Sequence, residues 1–316
     1  MSRDSAPTIS LVIPCYNEEA VLRETASRLA NKLSALIGSG RIGEGSAVFF
    51  VDDGSRDETW KLIEQLAQEE ELFHGIKLSA NRGHQNALLA GLLTVEGDVV
   101  ISMDADLQDD IDAIDSMLEK HQAGFDIVYG VRSSRDTDSA FKRTSAELYY
   151  RMLRAMGVDL VFNHADFRLM SRVALDALKG YREVNLFLRG IIPTLGFKCA
   201  TVEYARAERF AGETKYPLRK MLSFAWNGIT SFSNVPLRLI TALGLTTSFL
   251  SVFLLIWVFA IRLFTDDAVP GWASITIPLI FLGGVQLLSL GVIGEYVSKI
   301  YSETKARPRF IIEKRV

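Results

Sequence analysis

The 316-residue chain has only two cysteines, four histidines and no excess of basic residues, and each scarcity excludes something. Cys15 and Cys199 lie far apart without metal-ligand spacing, so neither a disulfide framework nor a thiolate metal centre organises the fold, and both read as reduced, buried small hydrophobes of a cytoplasmic domain. With 35 Lys and Arg against 38 Asp and Glu the net charge is −3, which excludes the phosphate affinity of a general nucleic-acid binder. Met1 to Thr8 is polar and leads into Ile9–Pro14, too short for the apolar core of a signal peptide, so export by that route is not expected. The chain carries no internal repeat and no low-complexity tract.

Short β-rich runs recur instead: Ile9–Ile13, Ala47–Val51, Gly75–Leu78, Asp98–Met103 and Asp126–Tyr129. Their nearly continuous apolarity predicts parallel strands covered on both faces. Glu18–Leu36 and Thr59–Glu70 place Leu, Ala, Ile and Val at helical spacing, the second after the capping candidates Ser55 and Asp57. The fold class is therefore α/β, a Rossmann-like, mostly parallel sheet flanked by helices. Asp52-Asp53 and Asp104-Ala-Asp106 each follow a strand, where open α/β sheets place their ligand crevice, so they are expected to converge.

After Tyr216 the composition shifts. Leu239–Ile261 and Trp272–Ile293 carry no charged side chain, and each reaches the roughly 20 residues that a bilayer-spanning helix needs, so two transmembrane helices are expected. Arg219, Lys220 and Arg238 precede the first run and Lys299, Lys305, Arg307, Arg309, Lys314 and Arg315 follow the second, whereas Thr265–Gly271 between them contains Asp266 and Asp267 and neither Lys nor Arg. That asymmetry puts the loop outside and both termini in the cytoplasm. The helical stripe Leu218, Met221, Leu222, Ala225, Trp226, Ile229 and Phe232 predicts an interfacial amphipathic helix, and Phe141–Gly157 is a weaker candidate for the same surface. The expected domains are a catalytic domain over 1–216, the interfacial helix over 217–236, spans over 237–264 and 272–297, and a basic tail over 298–316.

Asp104, Asp106 and Gln108 present closely spaced oxygen ligands at a strand end, which suit Mg²⁺ or Mn²⁺ bridging to a diphosphate; a solvated acidic turn is the other reading. Asp52-Asp53-Gly54-Ser55 reads either as a capping turn or as a binder of a nucleotide's ribose or base, and in Pro14-Cys15-Tyr16-Asn17-Glu18 the Tyr16 ring suits packing on a base whose hydrogen bonds Glu18 accepts. Arg132 is a candidate for phosphate contact by residue type. His84 and His164 stand at no metal-ligand spacing; His84 reads as a hydrogen-bonding group near the donor sugar or as structural.

In this order and spacing, Ile13-Pro-Cys-Tyr-Asn-Glu18, Val51-Asp-Asp-Gly-Ser55, Asn81-Arg-Gly-His84, Asp104-Ala-Asp-Leu-Gln108, Asn163 to Arg168, Arg209 to Tyr216, Gly294-Glu-Tyr296 and Arg307-Pro-Arg309 carry a resemblance over almost the whole chain. It resembles the inverting family 2 glycosyltransferases of GT-A fold, and more closely their polyprenyl-phosphate branch, which takes in dolichyl-phosphate mannose synthases, bactoprenyl-phosphate glucosyltransferases and undecaprenyl-phosphate aminoarabinose transferases. The resemblance implies that Pro14, Tyr16, Glu18, Asp52 and Asp53 line the nucleotide site and that Asp104, Asp106 and Gln108 hold the metal-diphosphate. It places Arg209 and Lys215 on the phosphates and Asp166 in the acceptor-side motif, where that Asp is often assigned as the base. A phosphate monoester, with a second pKa of about 6, is largely ionised near neutral pH, so Asp166 reads instead as an orienting or charge-stabilising group, or as a salt-bridge partner of Arg168.

The resulting expectation is single-displacement, inverting transfer of a sugar from a nucleotide diphosphate to polyprenyl (undecaprenyl) phosphate, assisted by Mg²⁺ or Mn²⁺. Glucose from UDP-glucose leads; an aminoarabinose derivative, GDP-mannose, UDP-GlcNAc and UDP-galactose are the alternatives. A membrane-bound nucleotide-binding module without catalysis is the reading from another class. A processive synthase is disfavoured, since the chain has no Gln-x-x-Arg-Trp motif. The resemblance further implies the bacterial inner membrane, a cytoplasmic catalytic domain and a homo-oligomer, with a tetramer among the options.

Overall fold

A computed structural model of the protein describes residues 6–133, 164–184, 187–205, 235–264 and 271–316. Arg209, Lys215, Asn163, residues 217–234 of the expected interfacial helix and all of Phe141–Gly157 lie outside the described residues.

In chain order the elements are β1 (Ile9–Cys15), α1 (Leu22–Gly38), β2 (Ala47–Asp52), α2 (Thr59–Glu69), β3 (Phe73–Leu78), α3 (His84–Thr94), β4 (Val99–Ser102), α4 (Ala113–Gln122), β5 (Ile127–Arg132), β6 (His164–Ser171), α5 (Arg172–Leu178), α6 (Leu188–Thr194), β7 (Cys199–Tyr204), α7 (Val235–Phe264), α8 (Gly271–Lys305) and β8 (Ile312–Arg315). The strands form one sheet in the order β7-β5-β6-β4-β1-β2-β3-β8. Pairs β1–β2, β1–β4, β2–β3 and β5–β7 are parallel, as the continuous apolar runs predict, whereas β6 runs antiparallel between β4 and β5 and β8 runs antiparallel on β3.

Strand alternation divides the core into two layers. Leu11, Ile13 and Phe50 pack with Leu22, Leu29 and Leu33 of α1, Ile63 of α2 and Met117 of α4. Val12 and Val51 point the other way, toward α3, where a Cβ added at Gly91 would stand 2.3 Å from Val12 and 2.9 Å from Val51. That close approach needs glycine in an otherwise buried helix.

Chain order reverses about β1, because β2 lies on one side and β4 on the other. The crevice beyond the carboxyl ends of β1 and β4 is the switch point at which such sheets bind ligands. Antiparallel β6 matters here for a separate reason: its amino end lies beside the carboxyl end of β4, with Ser102 opposite Arg168.

The described residues divide into two compact units, one holding 6–133, 164–205 and 307–316 and the other the two long helices. The expected basic tail from 298 onward is different in the structure: α8 runs on through Lys305, and Ile312–Arg315 is an edge strand of the catalytic sheet. Its backbone pairing is carried on by Gly75 and Val316, whose N–H groups donate to each other's carbonyls at 2.9 and 3.0 Å. Cys199 is exposed, against the expectation of burial; Cys15 is buried, and both are free.

Both expected spans fall within helices, α7 and α8. Among the described residues one segment, Phe281–Lys305, with mean hydropathy 1.3, is long and apolar enough to cross a membrane. Large apolar side chains on both helices stand exposed, Phe249 at 76% and Leu287 at 73% among them.

Candidate active site

The loops after β1 and β2 are stitched together before any ligand arrives. Asn17, at φ +57°, donates its N–H to Ser55 Oγ at 3.0 Å and accepts from Arg56 N–H at 2.9 Å, while Glu18 N–H donates to Thr59 Oγ1 at 2.8 Å. Tyr16 is thereby held on an anchored turn and is 41% exposed. Asp57 accepts from Thr59 N–H at 3.1 Å just before α2, but the N-cap position is Glu58, which makes no side-chain cap, and Ser55 serves the neighbouring loop, so neither capping candidate caps the helix.

Pro14 and Asp52 are adjacent on β1 and β2, where Pro14 pairs with Val51 and Cys15 with Asp52. Asp52 is fully buried and accepts from Ser55 N–H at 3.2 Å. Asp53 accepts from the N–H groups of Arg82 and Gly83 at 2.7 and 2.8 Å, so on this geometry it fixes the Asn81–His84 loop. Burial pushes both carboxyls up, and these hydrogen bonds oppose it. Gly54 has φ +67°, and a Cβ there would stand 2.7 Å from Asn81 N; only glycine fits.

After β4 the acidic turn is built around Leu107, a non-glycine residue at φ +57°. Asp106 accepts from Gln108 N–H at 3.2 Å. Asp109, which the sequence reading passed over, is buried; it accepts from Tyr204 Oη at 2.5 Å, and Arg132 Nη2 stands 3.9 Å away. Arg132 thus lies at this turn, as a phosphate contact would require, with Asp109 as its neighbour. Burial pushes the Asp104 carboxyl up to about 6; His84 opposes this, and Asp109, Asp166 and Asp106 add to it.

Whether the turn fits a divalent cation follows from its donors. Among the described residues no three His, Cys, Asp or Glu side chains form a ready-made cage. Asp104, Asp106 and Gln108 nevertheless offer hard oxygens within one turn, and a raised carboxyl among other acids is a group that a cation would stabilise in its ionised form. They suit an ion that takes the rest of its shell from a diphosphate and water.

Asp166 enters from β6. Ser102 Oγ donates to its carbonyl at 2.6 Å, which seats it beside the carboxyl end of β4. Its side chain, nearly buried, is surrounded by cations. Arg168 Nη2 donates to Oδ1 at 2.5 Å, Arg189 Nε and Nη2 donate to Oδ1 and Oδ2 at 3.2 Å each, and His84 Nε2 lies 3.4 Å from Oδ2. The same His84 nitrogen is 3.6 Å from Asp104 Oδ1, so the imidazole bridges the two carboxylates. Burial alone would raise Asp166, but His84, Arg168 and Arg189 hold it well below the usual carboxylate range. The salt bridge to Arg168 anticipated from sequence is present, and a carboxylate held this way is a poor proton acceptor near neutral pH.

The structure therefore brings Pro14, Tyr16, Glu18, Asp52 and Asp53 to one end of the sheet with Asp104, Asp106, Gln108, Arg132 and Asp166. Sequence reasoning missed Asp109, Tyr204 and Arg189. Asp109 extends the acidic run and was within reach of inspection; Arg189 is one arginine in Leu-Phe-Leu-Arg-Gly and carries no local signal.

The sequence profile described as Glycosyl transferase family 2 matches residues 10–179, from β1 through α5. "Uncharacterized glycosyltransferase YkoT" of Bacillus subtilis (strain 168) is 51% identical over 313 residues, covering 98% of this chain and 93% of that protein. The "Prophage bactoprenol glucosyl transferase homolog" of Escherichia coli (strain K12) is 38% identical over 97% of this chain and 98% of that protein. The "SfII prophage-derived bactoprenol glucosyl transferase" of Shigella flexneri is 39% identical over 97% of each. The profile takes in the loops after β1, β2 and β4 as well as Asp166, and identity at this level continues through the two long helices, so the chain belongs to glycosyl transferase family 2.

Proposed function

We propose that the protein transfers a sugar, glucose from UDP-glucose in the leading form, onto polyprenyl phosphate with inversion at the anomeric carbon. The observation that carries this reading is the meeting of the donor-side loops with Asp166 at the switch point, in a chain several of whose nearly full-length relatives carry bactoprenol glucosyl transferase in their names. An oxygen of the acceptor phosphate forms the new bond to the anomeric carbon from the face opposite the donor diphosphate. The bond to the diphosphate oxygen breaks, and its electron pair leaves with the nucleotide. The attacking phosphate is already ionised, which fits an Asp166 that cannot readily take a proton.

In this reading Tyr16 packs on the base, and Pro14, Glu18 and Asp52 line the nucleotide side, while Asp53 holds the Asn81–His84 loop against it. Asp104, Asp106 and Gln108 would hold Mg²⁺ or Mn²⁺, which when bound neutralises charge on the departing diphosphate. Arg132, with Arg209 and Lys215, is assigned to the phosphates. Alignment and charge stabilisation supply most of the acceleration. Helices α7 and α8 anchor the protein in the membrane where the insoluble acceptor resides, with the catalytic unit and both termini on the cytoplasmic side, the orientation that the basic flanks favour.

The test is transfer of radiolabel from UDP-glucose and a panel of other nucleotide sugars into undecaprenyl phosphate by detergent-purified protein, with Mg²⁺ or Mn²⁺ and beside Asp106→Ala. Label is expected in the organic phase only with metal and intact Asp106. Nucleotide binding without lipid labelling from any donor would refute the transferase reading and support a binding module.

A further inference from the structure

We infer that Asp109 is a positioning residue for the donor: pinned by Tyr204 across the sheet ends, it holds the Asp104–Gln108 turn in the shape that receives the cation and diphosphate; this rests on the donor being a nucleotide diphosphate bound with a divalent ion. Side chains along the turn are sorted. Ala105 and Leu107 are buried, Asp104 and Asp106 are partly exposed, and Leu107 takes φ +57°, a conformation that a residue with a side chain keeps only where its surroundings impose it. Two anchors impose it. Thr25 of α1, fully buried, donates its hydroxyl to the Ala105 carbonyl at 2.8 Å near the start of the turn. At the far end stands Asp109, whose side chain is 1% exposed.

Asp109 is held from two strands that pair with each other. Tyr204 Oη donates to Oδ1 at 2.5 Å, Arg132 Nη2 lies 3.9 Å from the same oxygen, and Asp104 N–H reaches Oδ2 at 3.5 Å, back across the turn. Tyr204 and Arg132 are register partners at the carboxyl ends of β7 and β5. The Tyr204 ring also meets Phe167 edge-on, with centroids 5.4 Å apart and planes at 81°, and Phe167 follows Asp166 on β6. Gly130 keeps that place open, since a Cβ there would stand 2.8 Å from Phe167 and 3.0 Å from Tyr204. One tyrosine thus ties the donor turn to the strand that carries Asp166. Charge supplies a second reason for a carboxylate at this position. Asp109 faces Arg132 and two further acids, Asp104 and Asp106, so the turn gathers negative charge that a divalent ion on Asp104 and Asp106 would offset.

The competing role for Asp109 and Tyr204 is plain stability, and a cation-dependent measurement separates the two. UDP binding to the full chain in detergent is followed by calorimetry in EDTA and at a series of Mn²⁺ concentrations. Wild type is expected to bind UDP more tightly as Mn²⁺ is added. Tyr204→Phe, which keeps the ring and loses the hydroxyl, and Asp109→Ala should gain about tenfold less from Mn²⁺, while their affinities in EDTA stay within about twofold of wild type. Asp109→Asn, which keeps an acceptor for Tyr204, should fall between, and it stands in if Asp109→Ala does not fold. In the transfer assay Tyr204→Phe should raise the donor KM by a similar factor and leave the KM for polyprenyl phosphate unmoved. Phe73→Leu is the stability control: Phe73 packs on Phe50 at the amino end of β3, so its replacement should lower the unfolding midpoint and keep the full Mn²⁺ gain. A Mn²⁺ gain that is intact in Tyr204→Phe and Asp109→Ala, or lost equally in Phe73→Leu, overturns the inference and leaves the proposed reaction standing. A wild-type protein whose UDP binding neither Mn²⁺ nor Mg²⁺ strengthens overturns the proposed donor site and the inference with it.

Discussion

Replacing Asp166 with asparagine should destabilise the catalytic unit as well as slow it. The isosteric amide keeps an acceptor for Arg168 but removes the one carboxylate that, among the described residues, is bonded to this 0%-exposed guanidinium, whose Nε and Nη1 have no partner among those residues. Breaking a buried ion pair from one side costs about 3–5 kcal/mol, and the retained amide hydrogen bond places this case near the lower figure. The partly exposed Arg189 pair adds no more than about 1 kcal/mol. At about 2–4 °C per kcal/mol for a domain of this size, thermal unfolding of the full chain in detergent, followed by tryptophan fluorescence, should fall by roughly 6–12 °C. Removing the stranded cation too, as Arg168→Met with Asp166→Asn, should restore most of that loss. A midpoint within about 2 °C of wild type for Asp166→Asn, or a double variant no more stable than the single one, would refute the buried-pair argument. The point bears on mechanism: lost activity in an Asp166 variant is no proof of a base, since loss of stability and loss of an orienting carboxylate would both lower it.

The pH dependence has a definite sign. Asp166 in the folded protein is held below its ordinary value, so its contribution is complete above about pH 4 and is lost as pH falls toward the folded pKa. The midpoint difference between wild type and Asp166→Asn should shrink on acidification below about pH 4; a widening difference would contradict the assignment. Gly54→Ala forces a Cβ to 2.7 Å from Asn81 N and 2.8 Å from Ala80 C at φ +67°, so it should cost about 1–3 kcal/mol, displace the loop held by Asp53 and raise the donor KM several-fold with the acceptor KM unchanged. Deleting Ile312–Val316 removes the Lys314–Glu64 and Lys77–Glu313 ion pairs and bares the edge of β3, which should lower the unfolding midpoint by several degrees and increase aggregation on size-exclusion chromatography.

Much of the fold was legible because buried parallel strands read as unbroken apolar runs, and β1, β2 and β4 stand within a residue or two of where those runs place them. The donor-side acids were legible for a related reason: in an open α/β sheet ligands gather at strand ends, and Asp52 and Asp104 sit at two of them. Helix α3 gave no periodic signal, since Ala87 to Leu92 are buried consecutively and a helix enclosed on every side has no polar face to set a period. Long-range pairing was hidden altogether. That β6 runs backwards between β4 and β5, so that Asp166 reaches the end of β4, is a property of the sheet and not of His-Ala-Asp-Phe-Arg. The same holds for Arg189 closing on Asp166 from a different helix, for His84 bridging two carboxylates, and for a C-terminal strand pairing with β3. Composition and local periodicity determined the class of fold, the apolar helices and the acidic strand ends, because each is written in neighbouring residues. Tertiary structure alone decided which cations besides Arg168 surround Asp166, because Arg189 and His84 reach it through strand order and packing between segments far apart in the chain.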